Sequence, residues 1–190
     1  MKAAPDYASA KLLDGGGIDI NSLPEGYYSE KNGIRLVSIG KIHEAGGEGC
    51  ACPMGMLARE FLAGIRTFGD DVVIVDTEAG IEHFGRGIDA EADLVLMVID
   101  PSFESVRLAE RVFVMSENSG VPVYYILNKW DDTYSEEIRG NIGDPSRIIC
   151  EINHSPEIIY AGLSGNIPEP VPAEITGLAD SVLHLSGKQN

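Results

Sequence analysis

The sequence predicts an α/β fold, a mainly parallel sheet flanked by helices, and two observations predict it. Residues 72–75, 94–99 and 121–127 are continuous apolar runs, the pattern of strands whose two faces are both covered by helices. Helical periodicity separates them: Leu57, Phe61, Leu62 and Ile65 recur on one face of 54–68, and 103–118 reads as a helix closed by Gly120. Strands alternating with helices argue for crossover connections rather than hairpins. A β-branched strand at 34–39 opens the core, 148–152 is a further strand, 156–160 a single helical turn, and 174–185 a last helix after Pro168, Pro170 and Pro172. Residues 1–33, broken by Gly15-Gly16-Gly17, Pro24, Gly26 and Gly33, read as a mostly irregular arm with a short helix at 8–13. The expected organisation is that arm followed by one α/β domain over 34–190.

Bulk composition narrows the function. With 190 residues and 44% hydrophobic content the chain is long enough for one sizeable core. Fourteen basic against thirty acidic residues give a net charge of -16, which repels nucleic acid and anionic membrane, so neither is an expected partner. No apolar run reaches membrane-spanning length, and three cysteines without a signal peptide fit a reducing cytoplasm.

Three short motifs carry chemistry. The run Gly46-Gly47-Glu48-Gly49-Cys50-Ala51-Cys52-Pro53 sets two thiols one residue apart in a glycine-rich turn. Alternate residues of an extended segment point to opposite sides, so the pair grips one soft metal ion only where the backbone bends, as flanking glycines permit. Cys50 and Cys52 supply at most two of the four ligands a closed zinc or nickel site takes, so other residues or a second copy of the chain must complete it. A buried or disulfide-bonded pair is the bland alternative, although neighbours at this spacing rarely close an unstrained bridge. Asp76 ends an apolar run and leads into Thr77-Glu78-Ala79-Gly80. A carboxylate there holds a magnesium-bound water, and Gly80 lets a backbone amide swing toward a γ-phosphate. An acid that caps the next helix gives the same pattern. Asn128-Lys129-Trp130-Asp131 ends another apolar run and spells N-K-x-D, the pattern that in GTPases recognises guanine through the acid's pairing with base N–H groups; a plain polar loop gives the same residues, and Asp132 beside Asp131 makes the loop generally acidic, which leaves guanine against adenine open. Trp130 either stacks on a purine or covers the sheet end, and Cys150 reads as a small core residue.

Taken together, the cysteine run, the run Asp76-Thr77-Glu78-Ala79-Gly80-Ile81-Glu82-His83-Phe84-Gly85-Arg86-Gly87 and Asn128-Lys129 resemble the CooC-type nickel-insertion accessory ATPases of carbon monoxide dehydrogenase. These are deviant P-loop proteins related to MinD and nitrogenase iron protein. The resemblance covers about 33–151. It implies a SIMIBI-type P-loop fold and a homodimer in which Cys50 and Cys52 of two chains hold one nickel or zinc ion. It also implies ATP with magnesium at Asp76, a switch loop at Glu78 to Gly80, base contact at Asn128 with Lys129 beside it, and the dehydrogenase as client. One departure is large: the 190 residues contain no glycine-rich phosphate loop ending in Lys-Thr or Lys-Ser, nor the strand before it. Hydrolysis by these residues alone is therefore not expected. The gap implies a sheet that closes over it, a separate phosphate-loop chain, or a start upstream of Met1. A pseudo-ATPase that docks on a complete relative or on the client, without metal or nucleotide, is the alternative.

Overall fold

A computed structural model describes residues 17–39, 52–69, 71–77, 81, 87 and 89–187. The chain divides into two compact units, Met1–Glu91 and Ala92–Asn190.

The first unit is assembled from short pieces. Strand β1 (Ile18–Asp19) pairs in parallel with β4 (Ile65–Arg66), which continues directly from helix α1 (Cys52–Gly64). Gly64 lets the two come together, because a Cβ there would sit 3.1 Å from Ile18 Cδ1. Strands β2 (Ser29–Lys31) and β3 (Ile34–Leu36) form an antiparallel hairpin. Its turn is Asn32-Gly33, both with positive φ (53° and 79°), the geometry whose twist matches two antiparallel strands. The Arg35 guanidinium ties the hairpin down: Nε donates to Glu30 at 2.7 Å, and Nη1 donates to the Ile20 carbonyl and to Asn21 Oδ1.

Two expectations are corrected here. The strand expected at 34–39 to open the parallel core is instead half of this exposed hairpin, because Asn32-Gly33 reverses the chain immediately before it. The apolar run 72–75 forms no strand and joins no ladder among the described residues. Ile74 is 87% exposed, and Val72, Val73 and Val75 are exposed with it. Apolar side chains favour a strand only when a neighbouring strand takes up the backbone N–H and C=O groups. The short helix expected at 8–13 lies outside the described residues.

The second unit holds the parallel sheet that the apolar runs predict, in the order β5 (Val95–Ile99), β6 (Val123–Trp130), β7 (Ile148–Asn153). Helix α2 (Phe103–Ser119) connects β5 to β6 and packs on both. Ser102 starts it by accepting from the Ser105 N–H, and Gly120, left-handed at φ 77°, ends it by donating its N–H to the Ser116 carbonyl. Helix α3 (Ser135–Asn141) lies between β6 and β7, led by Glu136 and Glu137 at its positive end. Helix α4 (Pro156–Leu163), capped by Ser155, exceeds the single turn expected there, and α5 (Ala173–Leu185) packs against β7. The buried apolar side chains are Ile99, Ala109, Val112, Val123, Tyr125, Ile126, Leu127, Trp130, Ile138, Ile142, Cys150 and Ala161. Each large one contributes about 1.5–3 kcal/mol through burial. Arg147 clips the sheet's amino end, bonding Glu117 at 2.7 Å and lying over the Phe113 ring. No helix among the described residues is long and apolar enough to cross a membrane.

Candidate functional site

At the carboxyl end of the parallel sheet, where open α/β sheets place their ligands, β5 and β6 bring three polar side chains together. Asp100 follows the last residue of β5, and Asn128 and Lys129 belong to β6. Asn128 Nδ2 donates to Asp100 Oδ1 at 2.8 Å, and Lys129 Nζ donates to Asp100 Oδ2 at 2.6 Å. One carboxylate thus receives both neighbours.

Consecutive residues of a regular strand point to opposite faces and could not both do this. The register explains it. Asn128 is opposite Ile152 and Trp130 is opposite Asn153, so Lys129 is an extra residue in β6 and forms a bulge. Lys129 takes φ 54°, a left-handed conformation that non-glycine residues avoid at a cost of about 1–3 kcal/mol. The ammonium–carboxylate pair and a 2.8 Å bond from the Tyr134 hydroxyl to the Lys129 carbonyl hold it there.

Burial by itself pushes the Asp100 carboxyl up, but the hydrogen bonds from Lys129 and Asn128 and the Lys129 charge outweigh it and hold its pKa below the ordinary 3.8. At neutral pH Asp100 is an anion that only accepts, which fixes Asn128 with its nitrogen turned toward it. No described residue donates to Asn128 Oδ1.

The rest of the N-K-x-D run has other duties. Asp131 caps the 3-10 turn Asp132–Tyr134, accepting from the Thr133 N–H at 2.8 Å and from the Thr133 hydroxyl, and these bonds lower its pKa. Trp130 is buried and packs under the Arg139 guanidinium, 5.5 Å from the ring centre, so it covers the sheet end rather than offering a stacking face. Cys150 is a core residue as expected; burial raises its thiol pKa, and Sγ donates to the Glu174 carbonyl.

The other sequence-predicted residues belong to the first unit. Asp76 is exposed and lies outside any helix or strand. Glu78, Gly80 and Cys50 lie outside the described residues. Cys52 is the first residue of α1. Among the described residues no group of three or more His, Cys, Asp or Glu side chains could hold a metal ion. Asp100 was missed by sequence reasoning, although Val98-Ile99-Asp100 repeats the signal that singled out Asp76, an apolar run ending in an acid.

No family model matches the chain. Among curated proteins it is 46% identical over 182 residues to MJ0084, an uncharacterized ATP-binding protein of Methanocaldococcus jannaschii, covering 96% of this chain and 71% of that one. It is 36% identical over 111 residues to the carbon monoxide dehydrogenase accessory protein CooC of Rhodospirillum rubrum, covering 58% of this chain and 42% of CooC. A second Methanocaldococcus jannaschii ATP-binding protein, MJ0823, is 32% identical over 160 residues, covering 80% of this chain and 61% of that one. The matched segments span less than two thirds of CooC and of MJ0823 but more than two thirds of MJ0084, and on that match the chain belongs to the same family as the ATP-binding protein MJ0084, with a partial similarity to CooC.

Proposed function

We propose that the chain is a nucleotide-binding accessory protein that delivers nickel to a carbon monoxide dehydrogenase or a related nickel enzyme. The observation that carries the nucleotide half is the Asp100–Asn128–Lys129 group at the carboxyl end of the sheet. An amide with its nitrogen anchored and its oxygen unclaimed suits one edge of a purine. Asn128 orients the base and Lys129 stands beside it. In the first unit, Asp76 would hold a magnesium-bound water and Glu78 to Gly80 would respond to a γ-phosphate. ATP, when bound, supplies the phosphoryl chemistry. The 190 residues contain no phosphate loop, so turnover needs a phosphate-loop segment in addition to them.

For the metal half, Cys50 and Cys52 act as the thiolates that carry nickel or zinc, paired with the same residues of a second copy. Helix α1 begins at Cys52, directly after the glycine-rich run. Elemental analysis with mass measurement tests this: about half an equivalent of metal per chain in a dimer, lost in C50S/C52S, is expected from a four-thiolate site. A metal-free monomer after nickel loading sinks the metal role. The interaction-module reading draws on the exposed apolar side chains of α4 and beyond, Tyr160, Leu163 and Ile167. Under it, docking on a client survives C50S/C52S.

A further inference from the structure

We propose that Asp100 is a specificity-determining positioning residue, whose carboxylate locks the Asn128 amide in the one orientation that matches adenine and mismatches guanine. This rests on the nucleotide reading above. Adenine presents an N6–H donor beside the N7 acceptor, whereas guanine presents two acceptors, O6 and N7. A freely rotating Asn amide can turn its nitrogen toward either base. With one Nδ2–H given to Asp100 at 2.8 Å, Asn128 retains an acceptor oxygen and a single N–H, the complement of adenine's edge. Turning the amide over would set Oδ1 against an anionic carboxylate, so Asp100 enforces the choice by repulsion as well as by attraction.

Two further features point the same way. Asp131, the acid that would serve guanine's ring N–H groups in an N-K-x-D motif, has its Oδ1 turned back onto the Thr133 N–H and hydroxyl, which leaves only Oδ2 to offer a base. Lys129 sits on the other Asp100 oxygen at 2.6 Å, so the carboxylate stays ionised without an uncompensated charge beside the base.

The test uses the whole chain, with ADP and GDP as probes in calorimetry and side-chain amide NMR of Asn128 without ligand. The expected result is a preference for ADP that falls about tenfold in D100A and D100N, the loss of roughly one hydrogen bond's discrimination. The Asn128 amide protons should shift when Asp100 is protonated, and that response should vanish in D100A. Asp100 is 41% exposed in its side chain, so both variants should fold, which a melting curve verifies. An unchanged ADP preference in folded variants, or Asn128 resonances indifferent to Asp100, overturns the proposal and leaves the nucleotide reading standing. Saturation by neither nucleotide in the unmodified chain overturns both.

Discussion

Residues 72–75 and residues 123–127 are both continuous apolar runs, yet they have opposite fates. In β6, Val123, Tyr125 and Leu127 are at most 1% exposed in a strand with two parallel neighbours, whereas Ile74 is 87% exposed and without a ladder among the described residues. The contrast extends to the units that contain them. Every buried apolar side chain among the described residues falls in Ala92–Asn190, and none in Met1–Glu91. Apolar character sets what a segment gains from a partner; the partner decides whether it becomes a strand.

The sharpest way to break this comparison is to truncate one residue in each run. Leu127→Ala should cost about 2–5 kcal/mol in urea unfolding, because it opens a cavity between packed elements. Ile74→Ala should change stability by no more than about 0.5 kcal/mol, as exposed substitutions do. A cost above about 1 kcal/mol at Ile74 would mean that 72–75 is covered in solution.

Two glycines in the second unit sharpen the picture of its packing. A Cβ on Gly143 would lie 2.6 Å from the Phe113 ring and 3.0 Å from its Cβ, so Gly143→Ala should destabilise by about 1–3 kcal/mol. Gly177, inside α5, has nothing within 4 Å of that position, so Gly177→Ala should stabilise by roughly 0.5–1 kcal/mol through helix propensity alone. Thermal melts of the two variants moving in the same direction would contradict the packing described for α2 against the turn that follows α3.

The smallest expected effect is electrostatic. The folded-state pKa of Asp100 is lowered, so its bonds to Lys129 and Asn128 contribute stability above the ordinary value of 3.8 and lose it as pH falls from there through the folded pKa. The stability difference between the unmodified chain and D100N should therefore be present at pH 6 and shrink toward zero in that acid window. Urea midpoints measured across pH would reveal it, and a difference that persists in acid would exclude this origin.

Much of the second unit was legible in the sequence because its signals are local and mutually consistent. Three apolar runs of strand length, a helical repeat and Gly120 define β5, α2, β6 and β7 without reference to anything distant. The first unit was less legible. Asn32-Gly33 is a strong hairpin signal that was read only as part of an irregular arm, and the apolar content of 72–75 cannot disclose whether a ladder partner stands beside it. At the site, Asn128 and Lys129 were identified from their motif. Asp100 was not, since its significance arises from a 28-residue separation closed by the parallel pairing of β5 and β6. Nor does any motif announce that Lys129 is an extra residue in its strand.

That extra residue sets the reading frame of the strand end. Counting ladder steps, Asn128 and Trp130 are neighbours rather than next-nearest neighbours, so they occupy opposite sides: one keeps the amide at Asp100, the other seals the hydrophobic layer under Arg139. Giving Lys129 a ladder place of its own would act like a frameshift, sending Trp130 to the amide's side, whereas deleting it would leave Asn128 and Trp130 on opposite sides as they are. The side that Trp130 seals therefore depends on residue 129 staying out of the ladder, whatever side chain stands there.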